Sequence, residues 1–305
     1  MTSDQIIGLA AGILGGALRV GAPFLFVSLG ECITEKGGRI NLGLEGVLVL
    51  SAMAGFAGSW LTGSPWLGVL CAMAAGAALC ALHGVLCSLP RVNDVATGIA
   101  LMLLGMGLAF FLGKPLIQPQ AAQLPPLALG NWSASSAIRS ALQINPLVPL
   151  GVLLAGALWW AFANTRPGLL LRMAGDSANA ARTLGYSVNG IRIAATVAGG
   201  AVAGLGGACL TLFYPGSWNE GISGGQGLIA VALVIFARWN PLRCVGAALL
   251  FGGAGAIGPA LQSIGIGWGY HLFNIVPYVL TLVILVFSCK PGQLAAGAPG
   301  EFSAR

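Results

Sequence analysis

The chain has 305 residues, of which 57% are hydrophobic and only 7% charged, with a formal net charge of +6, and its mean hydropathy is +0.88. Soluble domains carry about 25% charged residues, so water cannot solvate this exterior and most of it must face lipid. The positive balance does not point to nucleic acid, because Lys and Arg cluster in short segments between apolar runs, the pattern of the positive-inside rule.

The start, Met1 to Ala10, has no basic leader region and no clear cleavage site, so no removable signal peptide is expected. A spanning helix needs about 20 mainly apolar residues. Nine runs approach that length, at 6–30, 43–62, 66–89, 95–113, 146–164, 193–213, 224–237, 244–263 and 271–289. The fold class expected is therefore an all-α polytopic membrane protein of about nine helices (8–10), forming one transmembrane domain over residues 1–305. The first run holds Arg19 in its middle, which leaves open a bent helix or one that spans only with its second half. The seventh is short, and Gly221, Gly224, Gly225 and Gly227 crowd its start, so a broken or partial helix is expected there.

Two connections are long. Residues 114–145, rich in Pro, Gln and Ser, read as an irregular external loop. Residues 165–192 read as an internal loop in which Asp176 to Leu184 form a short helix, with Asp176 or Ser177 as its cap and Gly185 as its stop. A helix of about ten residues is marginal alone in water, so the membrane surface or a partner must support it. With the C-terminus in the cytoplasm, that side receives Lys36, Arg39, Arg91, Arg166, Arg172, Arg182, Arg192, Arg238, Arg243, Lys290 and Arg305, and the other side only Lys114 and Arg139. Eleven against two sets the orientation.

No enzyme constellation is apparent. His83 and His271 have no Cys, Asp or Glu at metal-ligand spacing, and no metal is expected. The seven cysteines, Cys32, Cys71, Cys80, Cys87, Cys209, Cys244 and Cys289, are scattered without CxxC spacing and read as small core residues. The glycines around Gly204 and Gly207 lie in an apolar run with no following Lys-Ser/Thr, so they are packing glycines and not a phosphate loop. Any ATP-hydrolysing domain lies on another chain.

The densest polar stretch runs from Glu31 to Glu45. It reads either as an ordinary charged hairpin or as a partly embedded turn beside a polar path. Glu45 discriminates, since an acid one turn into an apolar helix must face a cavity or partner. Gln226, at the start of the seventh run, is a further candidate for lining a cavity, because irregular backbone at membrane depth has to be covered by protein or water. Asn93 and Asp94 read as a helix cap. Trp66, Trp132, Trp218, Trp239 and Trp268 read as interfacial anchors. The Gly-rich segments 38–46 and 220–227 precede spans of opposite direction, consistent with an inverted repeat.

The stretch GECITEKGGRINLGLEGVLVLSA (30–52) resembles the signature of the shorter permease subunit of nucleoside/simple-sugar ABC importers, within the permease superfamily of the ribose and branched-chain amino-acid systems. GLLLRMAGDSANAARTLGYSVNGIR (168–192) is similar to that family's cytoplasmic coupling segment. AGGAVAGLGGACLTL, GQGLIAVALVIFARWNPL and NIVPYVLTLVILV follow in the family's order. The resemblance implies a multi-pass protein of the bacterial cytoplasmic membrane, importing nucleosides or related simple sugars. It implies three partners: a second, longer permease, a cytoplasmic ATPase that carries ATP and Mg, and an external binding protein or lipoprotein. No cofactor is expected on this chain. By the same resemblance Gly175, Asp176, Ala180, Ala181, Arg182 and Gly185 match the coupling motif, while Asn179 departs from it. Asn41, Gly43 and Glu45 match the polar segment beside the transport path. The competing reading is a stand-alone secondary transporter or channel, which the inverted repeat and broken helix suit equally, and against which stands the scarcity of intramembrane acids.

Overall fold

The computed structural model describes residues 3–131, 135–263, 275, 276, 279, 282, 283 and 297–303. In chain order the helices are α1 (Ser3–Lys36), α2 (Leu44–Thr62), α3 (Pro65–Leu86), α4 (Asp94–Gly113), α5 (Ser136–Ala141), α6 (Leu147–Asn164), α7 (Arg166–Asp176), α8 (Ala178–Thr183), α9 (Val188–Leu212), α10 (Gln226–Phe236), α11 (Pro241–Ser263) and α12 (Gly300–Ser303). A short antiparallel ladder joins β1 (Leu127–Ala128) to β2 (Gln143–Ile144). Among the described residues seven helices are long and apolar enough to cross a membrane: α1 from Ala10, α2, α3, α4, α6, α9 and α11. The chain is thus a polytopic helical membrane protein. The expected seventh span is the 11-residue α10, which at 1.5 Å per residue covers about half of a 30 Å hydrocarbon core. The expected ninth, 271–289, lies outside the described residues apart from isolated positions, as do Trp132, Trp268, His271, Cys289, Lys290 and Arg305.

Contacts between helix ends sort the bundle into two faces. Arg39 meets Asp94 and Arg192 meets Gly37 at one face, called here the basic end. At the opposite end Trp218 meets Gly113 and Leu124 meets Leu212. Between them α2, α4 and α9 run away from the basic end, while α1 and α3 run toward it. α1 packs on α9 and α11, and α3 packs on α9 and α2. Glycine permits these close approaches. A methyl group added at Gly30 would collide with the Gly199 carbonyl, and one at Gly76 with the Gly200 carbonyl. Outward, Leu103 and Phe111 on α4 and Leu153 and Trp160 on α6 are exposed, an apolar surface suited to lipid or a partner helix.

Several details depart from the sequence reading. α1 is one unbroken helix, and Arg19 is accommodated by donating to the Ser140 carbonyl at 2.5 Å. The loop 114–145 is less irregular than expected, since it holds a 3-10 turn, the β1–β2 ladder and α5. The loop 165–192 holds α7, which its polar flanks concealed. Thr165 caps it, accepting from the Gly168 amide at 3.2 Å. Asp176 ends α7 and does not start the next helix. Ser177 is the cap of α8, its hydroxyl accepting from the Ala180 amide at 3.3 Å. Cys71 is exposed, unlike the other described cysteines.

Candidate functional site

Two irregular segments dip into the bundle from opposite faces. After Lys36 the chain turns back beside α1, and the Asn41 amide donates to Glu31 Oε1 at 2.8 Å. Glu31 lies about 7 Å along the axis from Lys36, so residues 37–43 descend by more than a helical turn before α2 begins. Asn41 organises that descent: its Oδ1 accepts from the Gly43 amide at 2.9 Å, and its Nδ2 lies 3.4 Å from Cys80 Sγ. Gly43 is required by proximity, because a Cβ there would stand 2.8 Å from the Gly98 carbonyl of α4.

From the other face, residues 213–225 descend to the start of α10, with Gly224 and Gly225 at φ +53° and +83°. The two descents meet at Glu45. Its Oε1 accepts from the Ser223 hydroxyl at 2.5 Å and from the Gly225 amide at 3.1 Å, and its Oε2 accepts from the Gly227 amide at 2.7 Å. The carboxylate therefore closes the amino end of the half-length α10, where free amides and the helix dipole favour negative charge. Gln226, lying between those two amides in sequence, has a buried Oε1 without a hydrogen-bond partner among the described residues. The structure thus brings Asn41, Gly43, Glu45 and the start of α10 to one junction inside the bundle.

The rim of the basic end is also tied by charge. Arg39 Nη1 pairs with Asp94 Oδ1 at 2.6 Å, with side chains 7% and 2% exposed. Asn93 is the cap of α4, accepting from Val95 and Ala96 amides, so the expected cap divides into a cap residue and an ion-pair partner. The Trp239 indole donates to Glu35 Oε2. Trp239 and Trp218 are therefore not interfacial anchors: they are 7% and 1% exposed, and the Trp218 indole donates to the Gly113 carbonyl at 2.9 Å. Trp66 remains exposed at the start of α3.

The coupling-motif positions divide by face. Ala181 is buried with Ala174, Ala178 and Val188. Gly175 presses on the turn after α1, where a side chain would strike the Lys36 carbonyl. Asp176, Ala180, Arg182 and Gly185 are exposed. Gly185, at φ +83°, closes α8: the Tyr186 amide donates to the Ala181 carbonyl at 3.1 Å and the Gly185 amide to the Arg182 carbonyl at 2.9 Å, a Schellman closure. Asn179 has a local role, accepting from Arg182 Nη1 at 3.1 Å. A rigid, half-exposed helix is thus seated on α7 and α9 by its apolar side.

Sequence reasoning overlooked Arg192 and Glu301. Arg192 is one turn inside α9 and 6% exposed, with Nε donating to the Gly37 carbonyl at 3.1 Å and Nη2 to the Ala174 carbonyl at 2.9 Å. Its place at the edge of an apolar run in a chain with few charges was the available signal. Its partners were not visible locally.

These features define a multi-pass membrane protein with two broken segments meeting inside it and a seated helix at one end. A family model described as "Branched-chain amino acid transport system / permease component" matches residues 13–287. The chain belongs to that permease family. It is 33% identical over 265 residues to the putative glucose ABC transporter permease protein TsgC13 of Haloferax volcanii, covering 85% of this chain and 80% of the relative. It is 29% identical over 292 residues to the nucleoside ABC transporter permease protein NupC of Lactococcus lactis, covering 90% of each. It is also 29% identical over 309 residues to the guanosine ABC transporter permease protein NupQ of Bacillus subtilis, covering 92% and 93%. The family resemblance drawn from the motifs therefore holds, and the chain is an ABC-transporter permease subunit and not an enzyme.

Proposed function

We propose that the chain is the shorter permease of an importer that carries nucleosides or related simple sugars into a bacterial cell. The observation that carries this reading is α8, a closed helix with Ala180 and Arg182 exposed and Ala181 seated in the bundle. Such a helix is a handle for a cytoplasmic ATPase, which binds the ATP and Mg. Its displacement is passed to α1 through Gly175 and to α9 through Val188, giving two-state helices that both nucleotide and substrate bias. The concentration of Lys and Arg at the basic end supports a cytoplasmic position for that end and the C-terminus, in the inner membrane. A ninth span at 271–289 fits this arrangement, since α11 runs away from Glu35 and Trp239 while residues 297–303 lie against Lys36 and Asp176. The solute path runs past the Glu45 junction, with Asn41 and Gly43 shaping it and Gln226 offering a free amide oxygen. The opposed descents 37–43 and 213–225 support an inverted repeat. A second, longer permease covers part of the exposed apolar surface, and an external binding protein or lipoprotein delivers the solute.

Arg182→Glu and Gly185→Val are expected to lower uptake and transport-coupled ATP hydrolysis about tenfold, with membrane insertion intact. The first reverses an exposed charge on the handle; the second forces a β-branched residue into the left-handed region, straining the helix stop. Wild-type uptake in both variants would remove the coupling assignment. An ATPase that fails to co-purify, together with ion-driven uptake by this chain alone, would establish the stand-alone transporter instead. For the substrate, titration of the cognate binding protein with adenosine, guanosine and glucose is expected to show nucleoside binding. Binding of glucose alone would overturn that preference.

A further inference from the structure

Residues 297–303 return to the basic end and bind the coupling loop. Lys36 Nζ donates to the Gly297 carbonyl at 2.9 Å. Ala298 packs on the cluster that contains Ile33, Leu171 and Trp239, and Pro299 is buried. The Gly300 amide donates to Asp176 Oδ1 at 3.3 Å. Glu301 then makes two contacts with one carboxylate: Oε1 accepts from the Ala178 amide at 2.9 Å, and Oε2 pairs with Arg192 Nη2 at 3.3 Å.

The two contacts join elements on both sides of α8. Ala178 is its first residue, and the leading amides of a helix have no acceptor within the helix. Ser177 satisfies the Ala180 amide, and Glu301 satisfies that of Ala178 from 123 positions away. Arg192 belongs to α9 and also holds the end of α7 through the Ala174 carbonyl. An exposed ion pair contributes little, but here Arg192 is 6% and Glu301 25% exposed, and the other carboxylate oxygen takes the Ala178 amide in a charge-assisted hydrogen bond. Apart from it, the apolar seat of α8 consists of Ala174, Ala178, Ala181 and Val188, with Met173 and Ile191 beside them, a small area for transmitting force.

We propose that Glu301 is a positioning residue for coupling: it latches the start of α8 to Arg192, so that movement of α8 drives α9 instead of being lost in the loop. This rests on the reading of α8 as the ATPase handle. The latch makes the C-terminal segment part of the coupling device.

The test uses the complete transporter, with its second permease, ATPase and binding protein, in proteoliposomes. Labelled adenosine, guanosine and glucose are tried in turn, and the one giving wild-type uptake is used throughout. Glu301→Ala is expected to lower solute moved per ATP hydrolysed about tenfold, with the ATPase still bound and still hydrolysing. Glu301→Gln keeps an acceptor for Ala178 and is expected to retain more coupling than Glu301→Ala. Normal coupling in Glu301→Ala beside a defective Arg182→Glu overturns the latch and leaves the handle standing. Normal uptake in both variants removes the handle itself. Amide hydrogen exchange on the wild-type transporter decides the matter even if Glu301→Ala fails to assemble. Slow exchange at Ala178, whose amide has no acceptor in its own helix, supports the latch; exchange at the rate of an open loop overturns it.

Discussion

Glu45→Ala is expected to abolish uptake and to lower the thermal midpoint of the detergent-purified protein by about 10 °C. The substitution strips three donors at once, the Ser223 hydroxyl and the Gly225 and Gly227 amides. An orphaned buried donor costs about 1–3 kcal/mol, so the sum is about 3–5 kcal/mol after partial relaxation. Membrane depth aggravates the loss, because lipid offers no replacement acceptor. α10 has only 11 residues and no acidic residue in its own first turn. Glu45→Gln keeps one acceptor oxygen and turns an NH2 group toward the remaining donors, so it should fall between wild type and alanine. A midpoint in Glu45→Ala equal to that of wild type would show that the junction is not held by this side chain.

Arg39→Met is expected to be nearly as damaging, through a different mechanism. Asp94 is 2% exposed, and removing Arg39 takes away its buried ion-pair partner. Breaking one side of a buried pair costs about 3–5 kcal/mol, whereas replacing both sides with apolar residues is often close to neutral. The double variant Arg39→Met with Asp94→Leu should therefore recover most of the folded yield lost in Arg39→Met, as read by monodisperse protein after extraction. Recovery of uptake along with yield would mean that the pair serves stability alone. Failure of the double variant to recover yield would contradict the energetic account and show that Asp94 is needed for its own contacts.

The sequence-based expectations succeeded and failed along a physical line. Among the described residues the long apolar runs are helices, and the Gly-crowded seventh run is the half-length α10. Ser177 and Gly185 act as cap and stop of α8, because capping is a matter of three or four neighbouring residues. The start of that helix was displaced from Asp176 to Ala178, since Asp176 still belongs to α7. Trp218 and Trp239 were misjudged because position near a span end suits an anchor and a buried indole equally; only the Gly113 carbonyl and the Glu35 carboxylate distinguish them. Glu45 was read as an acid that must face a cavity or partner, and in the structure its carboxylate accepts from the start of α10.

The amino-acid sequence by itself determined that this protein lives in lipid, how many apolar runs it offers, which face is basic and where helices break. These follow from local composition, because a solvent without hydrogen bonds makes hydropathy and backbone satisfaction decisive residue by residue. Only the tertiary structure decided which charges answer one another. Arg39 and Asp94 are 55 positions apart, Ala178 and Glu301 are 123, and Glu45 and Ser223 are 178. A sequence displays the cost of each buried polar group, but the group that offsets it is chosen by helix packing, which brings distant residues within 3 Å of one another.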